Sequence, residues 1–327
     1  MKFVVVGAGA IGAYAGALLQ LAGEDVTLIA RGPHMRAMQE RGVHLQLSTG
    51  DRESRPRVVE DVALAGIPDV ILLTLKAHSL TEMAPRIAPI LGPNTTVVTM
   101  QNGIPWWYFY RHGGEWDGTH LESVDPGGII EKHIDSARIV GSVVYIATII
   151  SEPGVVKHIE GNRVSIGEPD GSKSDRCRSI SEAFGRAGLR CPVRSNIRQE
   201  IWVKLMGNLA FNPISALTGA TLLEIIECTE TRALASSIMR EVETMAGRLG
   251  IDLGISIEQR IAGAAKVGHH KTSMLQDVES GRPMELEAIA GAVVELGQRL
   301  GVEVPHSESV YSCAKLLARN LQMRNRS

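Results

Sequence analysis

The segment IWVKLMGNLAFNP, residues 201–213, carries an amine and two amides at every fourth position: Lys204, Asn208 and Asn212. At about 100° of helical rotation per residue these positions drift by only about 40° per step, so a helix presents them on one face. An ammonium held there can stabilise a developing oxyanion and hand it a proton. Asn208, one turn on, can hold that ammonium by accepting from it through its amide oxygen. Ser215 joins the face if the helix runs past Pro213, which removes the bond to the Leu209 carbonyl and favours a kink. The plainer alternative is an amphipathic helix whose lysine sends its ammonium into water along its aliphatic stem.

A second signal stands at the start of the chain. Gly7-Ala8-Gly9-Ala10-Ile11-Gly12 is G-x-G-x-x-G, placed after the apolar run Phe3–Val6 and at the head of a helical stretch, 11–22. In that setting the first glycine allows a tight turn, the second lets a pyrophosphate approach the backbone, and the third brings helix and sheet close. The next β-rich run, 25–30, ends at Arg31 rather than at the Asp or Glu that would hold a ribose 2′-hydroxyl. A guanidinium suits a 2′-phosphate, so NADP(H) is favoured over NAD(H). A solvated loop arginine before Gly32-Pro33 is the alternative. Lys76, in LLTLKAH, and Gln101-Asn102-Gly103 also fall at strand ends, where ligands bind in open α/β sheets.

These groups need two kinds of scaffold. Short β-branched runs at 3–6, 25–30, 70–75 and 96–100 alternate with helical stretches, which predicts a parallel doubly wound sheet. Runs at 139–150, 155–159 and 163–166 predict further strands, partly antiparallel, followed by a helix over 177–187 and a short strand over 188–194. From Asn196 onward the periodicity is helical: 197–212, 221–250, 256–268, 283–300 and 306–322. The expected organisation is α/β, with a Rossmann-type dinucleotide-binding domain over 1–195 and an all-α domain over 196–327. A length of 327 residues suits two domains.

Composition narrows the partners. The net charge of −2 argues against a nucleic-acid or membrane-surface binder, and no apolar stretch approaches the length of a membrane span. Cys177, Cys191, Cys228 and Cys313 are too far apart for a zinc spacing and read as reduced thiols of a cytoplasmic protein. His269-His270 has no third ligand nearby in sequence, so no metal is expected.

The strings GAGAIG, LKAH and QNG, with Arg31 after the second strand, resemble those of the ketopantoate reductase (2-dehydropantoate 2-reductase) family. NIRQEIWVKLMGNLAFNPISALTG and SMLQDVESGRPMELEAI extend the resemblance over almost the whole chain. The resemblance implies NADPH-dependent reduction of a 2-oxo acid, ketopantoate, to its 2-hydroxy acid, with the active site between the two domains. It assigns catalytic roles to Lys204, as general acid toward the C2 alkoxide, and to Glu285. It gives substrate contacts to Asn102, Asn208, Asn212 and Ser273. Cofactor contacts fall on Gly7, Ala8, Gly9, Ala10, Ile11, Gly12, Arg31, Lys76 and Asn102. A homodimer is compatible with it. Glu285 has a structural alternative, since an acid in a first turn opened by Pro283 is favoured by the helix dipole.

One segment departs from the simpler members of that family. After Gly103 the chain has a longer connection, 104–128, holding five consecutive aromatics at 106–110. Local packing or a subunit contact and a lid over the pocket are equal expectations for it. The lid would make the preferred acid a different 2-oxo acid, or the product an opine-type compound.

Overall fold

Phe3, Val4, Val5 and Val6 are wholly buried, as a central parallel strand requires. The computed structural model describes residues 1–324. Two compact units result: one formed by Met1–Gln101, Trp106–His120 and Asp125–Ile197, the other by Asn102–Pro105, Leu121–Val124 and the chain from Arg198 onward.

In the first unit the elements run β1 (Lys2–Val6), α1 (Ala10–Leu21), β2 (Asp25–Ile29), α2 (Gly32–Arg41), β3 (Val43–Gln46), β4 (Arg52–Ser54), β5 (Arg57–Val59), β6 (Val70–Leu73), α3 (Leu80–Ile87), β7 (Thr96–Thr99), α4 (Ile129–His133), β8 (Ile139–Glu152), β9 (Val155–Gly167) and α5 (Asp175–Arg186). The strands form one sheet in the order β4-β3-β9-β8-β7-β6-β1-β2-β5. Strands β8, β7, β6, β1, β2 and β5 pair in parallel, while β8–β9 and β3–β4 pair antiparallel. Because β1 lies between β2 and β6, the chain reverses its direction of travel across the sheet at the end of β1. That is the switch point where open α/β sheets bind ligands.

Two expectations for this unit need correction. The runs 155–159 and 163–166 are a single strand, β9, because its pairing to β8 resumes on both sides of Gly161 (φ +75°) across a register shift between Tyr145 and Ala147. The segment 188–194 is not a strand. It makes only isolated bridges, Arg163 to Arg190 and Ile166 to Val193.

The second unit is helical: α6 (Ile197–Thr218), α7 (Leu222–Glu227), α8 (Thr229–Arg248), α9 (Ile257–Val267), α10 (Ser273–Glu279), α11 (Ala292–Leu300) and α12 (Pro305–Arg324). The expected helix 221–250 is two helices, parted at Cys228, whose extended backbone (ψ 119°) starts α8 afresh. The expected helix 283–300 begins only at Leu286, so Pro283 lies before the helix rather than in its first turn. Its opening turn, Glu287–Gly291, is π-helical.

The aromatic run is core. Trp106, Trp107, Tyr108 and Phe109 are buried in the first unit, with Trp107 Nε1 donating to Thr99 Oγ1 at 3.0 Å. Gly141 lies directly under the Trp107 ring, where a Cβ would come within 2.5 Å of it. Packing therefore accounts for these four rings, while Tyr110, the fifth of the run, is half-buried.

Candidate active site

The glycine turn of the first unit is built by contact distances. Gly7 has φ +103°, and a Cβ there would lie 2.8 Å from the Leu75 backbone nitrogen. A Cβ on Gly12 would lie 2.4 Å from Thr74 Oγ1 and 2.5 Å from the Gly7 carbonyl oxygen. The Thr74 hydroxyl fixes the loop by donating to the carbonyls of Gly7 (2.7 Å) and Val6 (3.2 Å). At Gly9 the nearest atom to a Cβ is 4.0 Å away, so this backbone stays open to an approaching group. Gly9 is also the N-cap of α1, with no side-chain cap and no acid in the first turn. The amides of Ala10 and Ile11 open this helix, and its dipole there favours an anion. This geometry fits a dinucleotide pyrophosphate.

Neighbouring strand ends carry the cations. Arg31, exposed, caps α2 directly after β2. Lys76, half-buried, opens the short 3₁₀ turn Ala77–Ser79 after β6. Gln101, after β7, spends its amide on the carbonyls of Leu73 (2.8 Å) and Leu75 (3.2 Å), which holds the β6 end in place.

In the second unit, α6 sets its polar line within a largely buried helix. The helix runs unbroken through Pro213, and from Ile201 to Ala216 only Val203, Lys204 and Asn208 keep partial access to solvent. A helix apolar nearly all round is a core helix. Lys204 and Asn208 are thus a narrow polar window in it, not one side of an amphipathic surface helix. Asn212, on the same line, is buried. Ser215 does not serve the window: it is fully buried, with its hydroxyl donating to the Ala220 carbonyl at 2.6 Å. Ser273 is exposed and opens α10 after the N-cap Thr272.

Glu285 stands just before the π turn, half-buried, and its Oε2 accepts from Asn102 Nδ2 at 3.1 Å. Asn102 belongs to the second unit by its contacts although it follows β7 directly in sequence. The next amide, Ile104 N–H, donates to the Ala288 carbonyl inside the π turn at 2.8 Å. Gly103 between them has φ +86°, and a Cβ there would meet the Ala288 oxygen at 2.1 Å. Residues 102–105 thus form a strap docked on the π turn, and the strap fixes the Glu285 carboxylate. Single π turns are often found at functional sites.

The Lys204 ammonium is pulled from its usual value of 10.5 to about 8. Burial is the largest cause, the Glu285 carboxylate opposes it, and the positive charge of Arg260 adds to it. Lys204 is therefore protonated at neutral pH and close to releasing that proton, the condition suited to a general acid. NMR titration of selectively labelled lysines should show the Lys204 signal moving with a midpoint near 8. In Glu285→Gln the midpoint should fall further, because the opposing charge is gone. A midpoint in the ordinary lysine range would contradict this account.

Comparison with known proteins gives the same direction. The ketopantoate reductase PanE/ApbA family model matches residues 3–107, and the family's C-terminal model matches residues 196–318. A 2-dehydropantoate 2-reductase of Mesorhizobium japonicum is 48% identical over 320 residues, covering 97% of this chain and 98% of its own length. The chain belongs to the ketopantoate reductase family. Among solved structures, a Ralstonia solanacearum protein provisionally assigned as a ketopantoate reductase superposes with a TM-score of 0.93 at 37% identity, covering 98% of each chain. The 2-dehydropantoate 2-reductase of Methylococcus capsulatus gives 0.82 at 30%, with the same coverage.

Within this family member, one group near Lys204 was missed in the sequence. Arg260, on α9, is half-buried and lies against α6 at Gly207. Gly207 was the available signal, because a glycine inside a helix costs about 1 kcal/mol and marks close approach. Among the described residues no group of three or more His, Cys, Asp or Glu side chains could hold a metal ion. No described helix is long and apolar enough to cross a membrane.

Proposed function

We propose that this chain reduces 2-dehydropantoate (ketopantoate) to pantoate with NADPH. The observation that carries the reading is the polar window of α6, a lysine set in a core helix and tuned to about 8 by burial, Glu285 and Arg260. The whole-length similarity to a 2-dehydropantoate 2-reductase supports the same substrate.

NADPH, when bound, supplies the hydride. Its pyrophosphate would rest on the backbone of Gly7, Ala8, Gly9, Ala10, Ile11 and Gly12, and its 2′-phosphate on Arg31, with Lys76 beside them. Lys204 would hydrogen-bond the ketone oxygen, stabilise negative charge there as it forms, and transfer its Nζ proton to the resulting alkoxide. Glu285, held by Asn102, keeps the ammonium protonated until that moment and can receive the substrate's hydroxyl group. Asn208, Asn212 and Ser273 would orient the acid. We further assign the protein to the cytoplasm, which suits four unbridged cysteines, and to the small-molecule enzymes rather than nucleic-acid or membrane binders.

The deciding assay is NADPH oxidation across a panel of 2-oxo acids. Turnover with 2-dehydropantoate well above the others is expected. A different preferred acid would overturn the substrate, and no turnover with any acid would overturn the activity. Arg31→Ala should raise the KM for NADPH about 10-fold or more while leaving that for NADH nearly unchanged, since a charge-assisted pair to the 2′-phosphate is worth about 1.5–3 kcal/mol. Equal effects on both cofactors would remove Arg31 from 2′-phosphate recognition.

A further inference from the structure

Thr74, the residue that follows β6, decides where the glycine turn's own carbonyl points. Its hydroxyl donates to the Gly7 oxygen at 2.7 Å and lies 3.2 Å from the Val6 oxygen. The Val6 carbonyl already accepts the Thr74 N–H at 3.0 Å, so the single hydroxyl proton is left to Gly7. The same Gly7 oxygen accepts from Gly9 N–H at 2.7 Å, while Ala8 N–H donates to the Ile29 carbonyl at 2.8 Å. The Gly7–Ala8 peptide is thereby held at both ends, with its carbonyl oxygen turned toward Thr74.

The third glycine of the motif fits the same bond. A Cβ on Gly12 would lie 2.4 Å from Thr74 Oγ1 and 2.5 Å from the Gly7 oxygen, in the place where these two atoms meet. Gln101 braces the donor, because its amide holds the carbonyls of Leu73 and Leu75, the two chain neighbours of Thr74. Electrostatics gives this arrangement a purpose. The amides of Ala10 and Ile11 attract an anion, whereas a carbonyl oxygen swung among them would repel one. Gly7, at φ +103°, is the residue about which that peptide swings most readily, since glycine tolerates the alternative conformations.

We propose that Thr74 is a positioning residue for the cofactor. Its hydroxyl keeps the Gly7 carbonyl out of the pyrophosphate site and so sets the affinity for nicotinamide dinucleotides, with or without a 2′-phosphate. The inference rests on the dinucleotide reading of the glycine turn given above and adds a residue to it. Thr74 acts through Gly7 and has no part in the chemistry at the ketone.

The test compares wild type with Thr74→Val, which keeps the shape without the hydroxyl, and Thr74→Ser, which keeps the hydroxyl. Calorimetry reads three affinities. NADPH is the first. ADP-ribose has the pyrophosphate without the 2′-phosphate, and adenosine 2′-monophosphate has the 2′-phosphate without the pyrophosphate. In Thr74→Val the first two affinities should fall about 5–10-fold, as for one lost hydrogen bond, while the third stays within about twofold. The KM values for NADPH and NADH should rise by the same factor, unlike the unequal effect expected of Arg31→Ala. The kcat at saturating cofactor and the KM for 2-dehydropantoate should not change. Thr74→Ser should bind all three ligands to within about twofold of wild type. Where Thr74→Val does not fold, Thr74→Ala carries the same comparison. An undiminished affinity for ADP-ribose, a parallel fall for adenosine 2′-monophosphate, or failure of Thr74→Ser to restore binding would make Thr74 structural only and overturn the proposal. These outcomes do not depend on turnover. A wild type that binds NADPH but reduces no 2-oxo acid would overturn the reductase reading alone, and one that binds neither NADPH nor ADP-ribose would overturn both.

Discussion

Lys204→Ala should lower kcat/KM for 2-dehydropantoate a few hundred- to a few thousand-fold, a loss of about 3–5 kcal/mol of transition-state stabilisation. The effect should fall on kcat more than on KM, because charge develops on the ketone oxygen only as the hydride arrives. The proton inventory sharpens the prediction. Wild-type kcat should be flat below pH 7 and decline as pH passes about 8, where Lys204 loses its proton. The residual rate of Lys204→Ala should lack that decline. If it keeps it, another group is the acid.

The same lysine should be a burden on stability. Its native-state value lies below its unfolded value, so at neutral pH the unfolded chain binds this proton more tightly than the folded one does. A drop from 10.5 to about 8 corresponds to roughly 3 kcal/mol of destabilisation below pH 8, shrinking as pH rises toward 10.5. Lys204→Met keeps the length of the side chain without the charge. It should therefore melt higher than wild type at pH 7 while being inactive, the exchange of stability for function seen at active sites.

Several features of the two units could be read from the chain alone, for identifiable reasons. The glycine turn was legible because strand, turn and helix composition agree there, and the turn's contacts with Leu75 and Thr74 explain why those glycines are needed. The face of Lys204, Asn208 and Asn212 follows from helical spacing. Its burial does not follow, since spacing cannot distinguish a core window from a wet surface. Strands β3, β4 and β5 were not legible because they are short and polar, and α2 because its sequence, GPHMRAMQER, has little apolar periodicity. The break at Cys228 has no glycine or proline to announce it. Arg260 lies in an ordinary amphipathic helix, and nothing local separates it from a solvated arginine. Only its contact partner, an unexplained glycine in a core helix, gave a clue.

Asn102 is the residue whose placement sequence order most misleads about, and Gly103→Ala is the substitution that exposes its role. Position 103 carries two penalties. The left-handed backbone (φ +86°) costs a side chain about 1–2 kcal/mol. The added Cβ would also stand 2.1 Å from the Ala288 carbonyl oxygen, a backbone atom inside a π turn that cannot swing aside. The strap must lift, breaking the Ile104-to-Ala288 bond and the bond from Asn102 to Glu285. A backbone bond is worth about 0.5–1.5 kcal/mol and one to a charged group about 1.5–3. The expected destabilisation is therefore about 3–5 kcal/mol, a fall in Tm of about 5–10 °C. Gly301→Ala supplies the control, since Gly301 has φ +61° with nothing within 4 Å of its Cβ, so only the backbone penalty remains. The Lys204 titration separates strap docking from a general loosening. Once Asn102 lets go, the Glu285 carboxylate is no longer fixed, so the Lys204 midpoint should leave its value near 8 in Gly103→Ala and keep it in Gly301→Ala. Equal Tm losses in the two variants, or an unmoved Lys204 midpoint in Gly103→Ala, would show that the strap does not hold Glu285 in place.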